Sequence, residues 1–187
     1  MSAAIHTTGE APAAVALDMP SFAEVYRDHA PFLWRALRHL GVRDADIEDV
    51  CQEVFLVVHR RLPDFAQRSS LRTWLYSIAL RCASDYRRRA HRKREAPSSE
   101  LVDPMVEAPQ PASVAERQAR MLLDEILDTL DEPKRAVFVL YELEELAMAE
   151  VAEAVGCPLQ TAYSRLHAAR EAFEAAVKRR QAKERVS

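Results

Sequence analysis

Toward the C-terminal end, Gln160, Thr161, Tyr163, Ser164, Arg165, His167 and Arg170 fall on or near one exposed helical surface, while Ala162 and Leu166 point back to a core. Amides, hydroxyls and guanidinium groups on a helix can hydrogen-bond base edges in a major groove, and cations among them reach phosphates. A second set lies upstream, where Arg72, Thr73, Tyr76, Ser77, Arg81, Arg87 and Arg88 mix cations with hydroxyls and an aromatic ring. Cations follow a phosphate backbone, and aromatic faces stack on unpaired bases. The short polar stretch before it, Asp64 to Ser70 with Arg68 and Ser69, is suited to holding a base turned out of a duplex. A third set, Asp49, Gln52, Glu53, Phe55 and Leu56, lies off the apolar stripe of its own helix. Two apolar residues beside acids and an amide fit a partner surface, and they equally fit packing against a preceding helix.

Catalytic chemistry has no comparable support. His6, His29, His39, His59, His91 and His167 form no HExxH and no His–Cys pairing. The acid pair Glu144-Glu145 fits a solvated helix terminus better than an acid–base site. Cys51, Cys82 and Cys157 show neither CxxC nor zinc spacing, so no metal or cofactor is expected. Cys51 and Cys82 fall on apolar helix faces as small hydrophobes, with a redox role the open alternative.

The elements that must position these residues are helices. Ala, Leu, Arg and Glu dominate the 187 residues, glycine occurs only at 9, 41 and 156, and few segments alternate apolar and polar. The expected fold is all-α, with two small helical domains joined by a flexible linker. Residues 1–20 read as a disordered tail and 181–187 as a C-terminal tail. In the first domain (21–94), Ser21 caps a helix to about Leu40, with Pro31 marking a bend or restart and Gly41 ending it. A second helix from Asp44 to Leu62 buries Ile47, Val50, Cys51, Val54 and Val58. A third, Ser70 to Arg94, has the seam Leu71, Trp74, Leu75, Ile78, Ala79, Cys82 and Tyr86, and Trp74 reads as core. Residues 95–112 hold four prolines and form the linker. The second domain (113–180) opens on a capping box at Ser113–Glu116. Pro133 then starts a helix, and Gly156-Cys157-Pro158 breaks two further helices apart. That break is a helix-turn-helix signature, with a plain helical hairpin as the alternative.

Charge is segregated beneath a net value of −3. Arg81 to Arg94 holds seven cations and one acid, whereas Glu95 to Glu116 holds five acids and no cation. The N-terminus lacks the basic start of a signal peptide, and no apolar run is long enough to span a bilayer. The chain reads as cytoplasmic, without membrane insertion.

DADIEDVCQEVFLVVHRRLPDF (44–65) with SSLRTWLYSIALRCASDYRRR (69–89) resembles region two of the extracytoplasmic-function (ECF) sigma factors. LDEPKRAVFVLYELEELAMAEVAEAVGCPLQTAYSRLHAAR (130–170) is similar to their region four, and the likeness covers about residues 22 to 177. The resemblance implies a subunit that binds core RNA polymerase and directs promoter-specific initiation. It implies docking of Asp49, Gln52, Glu53 and Phe55 on the β′ clamp, with the β subunit also contacted. It assigns minus-ten recognition and melting to Asp64, Arg68, Ser69, Ser70, Arg72, Thr73, Tyr76 and Ser77, with Arg81, Arg87 and Arg88 beyond. It assigns the minus-35 element to Thr161, Tyr163, Ser164, Arg165, His167 and Arg170. An acidic linker running toward the RNA exit path and an anti-sigma partner are further implications. Arg81, Tyr163 and Ala168 depart from the family pattern, standing where Asn, a cation and Arg are common. A stand-alone helix-turn-helix regulator is the rival, but it leaves the helices at 44–62 and 70–94 unexplained.

Overall fold

A computed structural model describes residues 19–95 and 114–184, and among these every regular element is helical. The expected tail residues 1–18, linker residues 96–112, Ser113 of the capping box and residues 185–187 lie outside the described residues.

Helix α1 spans Phe22–His39. The Ser21 hydroxyl accepts from the Glu24 amide, and the Glu24 carboxylate accepts from Ser21 N at 2.8 Å. This reciprocal box satisfies two of the helix's free donors. Pro31 does not restart the helix, which runs through it without interruption. Pro31 and Arg27, whose carbonyl loses its helical partner, are both exposed, so the lost bond falls on the solvent side. Gly41 ends the helix in the left-handed region, at φ +91°.

A 3-10 turn, Asp44–Asp46, leads into α2, Ile47–Arg61. A second 3-10 turn (Leu62–Asp64) and a loop follow, then α3, Leu71–Glu95. The Ser70 hydroxyl caps α3 by accepting from Thr73 N at 3.0 Å. Leu33, Leu37, Ile47, Val54, Val58, Leu75 and Ala79 are wholly buried where the three helices meet. Truncating one such leucine to alanine costs about 2–5 kcal/mol by cavity formation. Cys51 and Cys82 are buried too, and burial pushes both thiols up to about 11, as small buried hydrophobes require.

The C-terminal part begins with α4, Val114–Leu127, and α5, Glu132–Phe138. Asp131 caps α5 by accepting from Lys134 N at 3.0 Å, and Pro133 occupies its first turn as expected. The chain then widens into a π-turn, Val139–Leu143, instead of continuing as an α-helix to Leu143. Glu145 follows at φ +56°, an uncommon conformation for a residue with a side chain. Helix α6, Met148–Val155, ends at Gly156 (φ +66°), and α7 runs Leu159–Glu184. Ala152, Ala162 and Leu166 are buried at the α6–α7 crossing, and Phe138 stacks on Phe173 at 4.8 Å between α5 and α7.

The two helical groups share one continuous set of buried residues, with α6 packed on α3 and α4 on α1. Arg135, 2% exposed, lies at this junction and donates to the Leu127 carbonyl at 2.8 Å. Its guanidinium covers the bare backbone of Gly41, where a Cβ would collide with it.

Candidate nucleic-acid and polymerase interfaces

Each of the three expected surfaces can be located. On α7, Tyr163, Ser164, His167 and Arg170 are exposed, and Thr161 and Arg165 are half-buried. They follow Gly156, whose left-handed turn sets the angle between α6 and α7. The first turn of α7 therefore presents free N–H groups and hydroxyls together, an arrangement suited to base edges and phosphate. Arg170 is not free: it donates to Glu142 at 2.6 Å and lies over the Tyr141 ring.

On α2, Asp49 and Gln52 are exposed, and Glu53 pairs with Arg89 of α3 at 2.9 Å. The two apolar residues of this set separate. Leu56 is 57% exposed, whereas Phe55 is 5% exposed. Phe55 packs edge-on to Phe22 and tilted over Tyr26 of α1, with ring centroids at 6.2 and 4.6 Å. Of the two alternatives open for Phe55, packing against the preceding helix holds, and the ring forms the floor of this surface. Beside it, Tyr26, Trp34, Gln52, Leu56 and His59 line an open groove that sequence periodicity did not reveal.

The third surface gives the largest correction. Asp64, Arg68, Ser70 and Arg72 are exposed and Ser69 is half-buried, in a loop that turns at Gln67 (φ +52°). Trp74 is half-buried, and Phe65 of the loop packs on it at 4.9 Å. Ser77 is half-buried, its hydroxyl donating to the Trp74 carbonyl at 2.7 Å. Arg81 and Arg88 are exposed and Arg87 is half-buried; Arg88 pairs with Asp85 on its own helix. Thr73 and Tyr76, expected on the exposed side of α3, are instead 1% and 0% exposed. They are covered by segment 144–150, whose carboxylates offer acceptors that water would otherwise supply.

Glu144 is the centre of that contact, and its side chain is fully buried. It accepts the Tyr76 hydroxyl at 2.5 Å and both Nε and Nη2 of Arg35 at 3.2 and 3.1 Å. Arg72 donates to the Glu144 carbonyl at 2.7 Å, with its guanidinium over the rings of Phe32 and Tyr76. Burial, followed by the bond to Glu144, pushes the Tyr76 phenol well above its ordinary range. The same carboxylate, accepting from Arg35, raises that guanidinium further. Next to it, Glu150 accepts from the Thr73 and Ser70 hydroxyls at 3.0 and 3.1 Å. Those hydroxyls, Thr73 first, hold its carboxyl below the usual value. The solvated position expected for Glu144-Glu145 holds for Glu145, which is exposed, and is corrected for Glu144, since a carboxylate with three donors can be buried where a lone one cannot. Beyond this contact a cleft of about 640 Å³ opens between α3 and the C-terminal helices, lined by Arg81, Arg87, Arg88 and Arg165.

No group of His, Cys, Asp and Glu among the described residues could hold a metal ion, and no described helix is long and apolar enough to cross a membrane.

Comparison with known proteins matches residues 25–93 to Sigma-70 region 2 and residues 120–173 to Sigma-70, region 4. The chain is similar to the ECF RNA polymerase sigma-E factor of Escherichia coli K12, 31% identical over 142 residues, covering 71% of this chain and 74% of that protein. It is also 31% identical over 155 residues to the ECF RNA polymerase sigma factor SigE of Mycolicibacterium smegmatis, covering 82% of this chain and 60% of that one. Among solved structures, the sigma factor RpoE of Bartonella quintana, in complex with the anti-sigma factor NepR, aligns with a TM-score of 0.67 at 20% identity. That alignment covers 84% of this chain and 96% of the other. CnrH in complex with the cytosolic domain of CnrY aligns with a TM-score of 0.64 at 24% identity, covering 84% and 87%.

Proposed function

The chain belongs to the extracytoplasmic-function sigma factors of the sigma-70 family, and from that membership we propose how its surfaces divide the work of promoter-directed transcription initiation. Residues 21–94 form region two, 113–180 region four, and 95–112 the acidic linker that follows the RNA exit path of the polymerase. Asp49, Gln52 and Glu53 of α2, with Leu56 as the exposed apolar contact and Phe55 supporting it from beneath, dock on the β′ clamp. The loop Asp64–Ser70 with Arg72, Thr73, Tyr76 and Ser77 takes the melted minus-ten strand, and Arg81, Arg87 and Arg88 follow its phosphates. Thr161, Tyr163, Ser164, Arg165 and His167 meet the minus-35 duplex, and Arg170 does so once released from Glu142. The role is one of binding and positioning in the cytoplasm, alongside the β and β′ subunits, and the chain carries no chemical step of its own.

The observation that carries this reading is the exposure, on one chain, of the acid–amide face of α2 together with the first turn of α7. A regulator that only reads duplex DNA has no use for the former. The test is run-off transcription with purified core polymerase and no other sigma factor, from promoters mapped after overexpression. Wild-type protein starts transcription at defined sites, and Tyr163→Ala lowers promoter occupancy by about tenfold, the worth of one good contact to DNA. Tight duplex binding without initiation overturns the reading.

An anti-sigma protein is proposed as a further partner, supported by the two solved relatives, each held by another protein. Tagged protein recovered from its host with polymerase subunits alone counts against it.

A further inference from the structure

Resting on that reading, we propose that Leu159 and Tyr163 make α7 a reader of thymine, each packing on the C5-methyl group of one thymine in the minus-35 major groove. Both are large side chains held at the surface, Leu159 47% and Tyr163 50% exposed. Four residues apart, they are neighbours at the start of α7. The buried stripe of that helix is carried without them, by Ala162, Leu166 and Ala169. Gln160 and Ser164 stand exposed beside the pair, and the Ser164 hydroxyl donates to the Thr161 carbonyl at 3.0 Å, which leaves its oxygen as an acceptor.

Charge directs this surface toward bases rather than phosphates. From Met148 to Ser164 the sequence has no Lys, Arg or His, and it carries acids at Glu150 and Glu153. Of the two arginines that follow, Arg165 is half-buried and Arg170 is tied to Glu142. A helix tip without a cation gains little from counterion release, so its hold on a groove must come from base edges. Leucine has no donor or acceptor, and the thymine methyl is the apolar group that the major groove offers it. The Tyr163 ring presents a second apolar surface, while Gln160 and Ser164 match the hydrogen-bonding atoms of neighbouring pairs. Four residues advance about 6 Å along a helix axis. Base pairs stack about 3.4 Å apart, so a helix lying along the groove reaches two methyls within about three consecutive pairs.

The test uses the full-length chain assembled with core polymerase and a fluorescein-labelled duplex taken from a mapped promoter. Each minus-35 thymine is replaced in turn by deoxyuridine, which removes the methyl and leaves base pairing intact, and binding is read by anisotropy. The expected result is two thymines, within about three base pairs, at which replacement weakens binding about fourfold each, the worth of one buried methyl-sized group. Leu159→Ala removes the penalty at one of them and Tyr163→Ala at the other, whereas Tyr163→Phe keeps both. Neither alanine variant alters the salt dependence of binding, which Arg165→Ala lowers. Both positions are exposed, and circular dichroism confirms that each variant retains its helix content. Equal binding of thymine and deoxyuridine duplexes, or penalties that survive both alanine variants, overturn the proposal. So does loss of core-polymerase binding with the penalties retained, which marks the pair as a protein contact. Transcription from the unsubstituted promoter is scored separately. Initiation without discrimination defeats the methyl contact alone, and discrimination without initiation defeats the initiation reading alone.

Discussion

Asp124 sits where an ionised carboxylate is costly. It lies on α4 against α1, half-buried, and its Oδ1 is buried without a hydrogen-bond partner. Burial, only partly offset by Arg38 and reinforced by Asp44 and Asp128, raises its carboxyl to about 6 from an ordinary 3.8. A carboxyl that holds its proton more tightly when folded stabilises the fold at low pH. That contribution is full below about 4 and lost as pH rises through about 6. Removing the charge therefore helps at neutral pH: Asp124→Asn gains about 1–2 kcal/mol, or roughly 2–6 °C in Tm, at about pH 7.5, after discounting for solvent screening. The gain shrinks toward zero near about pH 4, and thermal melts of both proteins across that range check it. His39, with Nδ1 buried and unpartnered, opposes this trend, since burial pushes its imidazole below 6.5 and its share of stability is lost on acidification.

Helix boundaries were the most legible elements, because caps and breakers act locally. Ser21, Gly41, Pro133 and Gly156 each stand where their chemistry requires, and the apolar stripe of α2 is buried as its spacing predicts, whereas in α3 Leu75, Ile78, Ala79 and Cys82 are buried and Leu71, Trp74 and Tyr86 only partly so. Gly156 offers a clean check, since no atom lies within 4 Å of an added Cβ but its φ is +66°. Gly156→Ala costs about 1 kcal/mol through backbone strain alone, read as a lower denaturant midpoint with unchanged slope. What the sequence did not disclose was non-local. The choice for Phe55 between a partner and the preceding helix stayed open because the rings that settle it, Phe22 and Tyr26, lie on another helix. Glu144 looked solvated because its donors come from Arg35 and Tyr76, 109 and 68 residues away. Periodicity reports which face of a helix is buried, and it is silent on a polar face covered by polar partners.

At the scale of the molecule, two groups of helices meet through both apolar contacts and a charged centre, so closure balances two forces that respond differently to solution conditions. The apolar share at α1–α4 and α3–α6 persists in salt, whereas the exposed parts of the Arg35–Glu144 and Arg72–Glu144 pairs are screened. The placement of aromatic residues then has an optical consequence. The chain has two tryptophans, and they sit on different surfaces: Trp34 in the groove beside α2, Trp74 against Phe65 of the loop that precedes α3. On the proposed assignments, light emitted by Trp34 would follow the arrival of a polymerase subunit, and light emitted by Trp74 would follow rearrangement of the loop. With either indole replaced by phenylalanine, the unlabelled protein becomes a single-colour clock for one event, so the order of docking and melting can be timed in the same reaction.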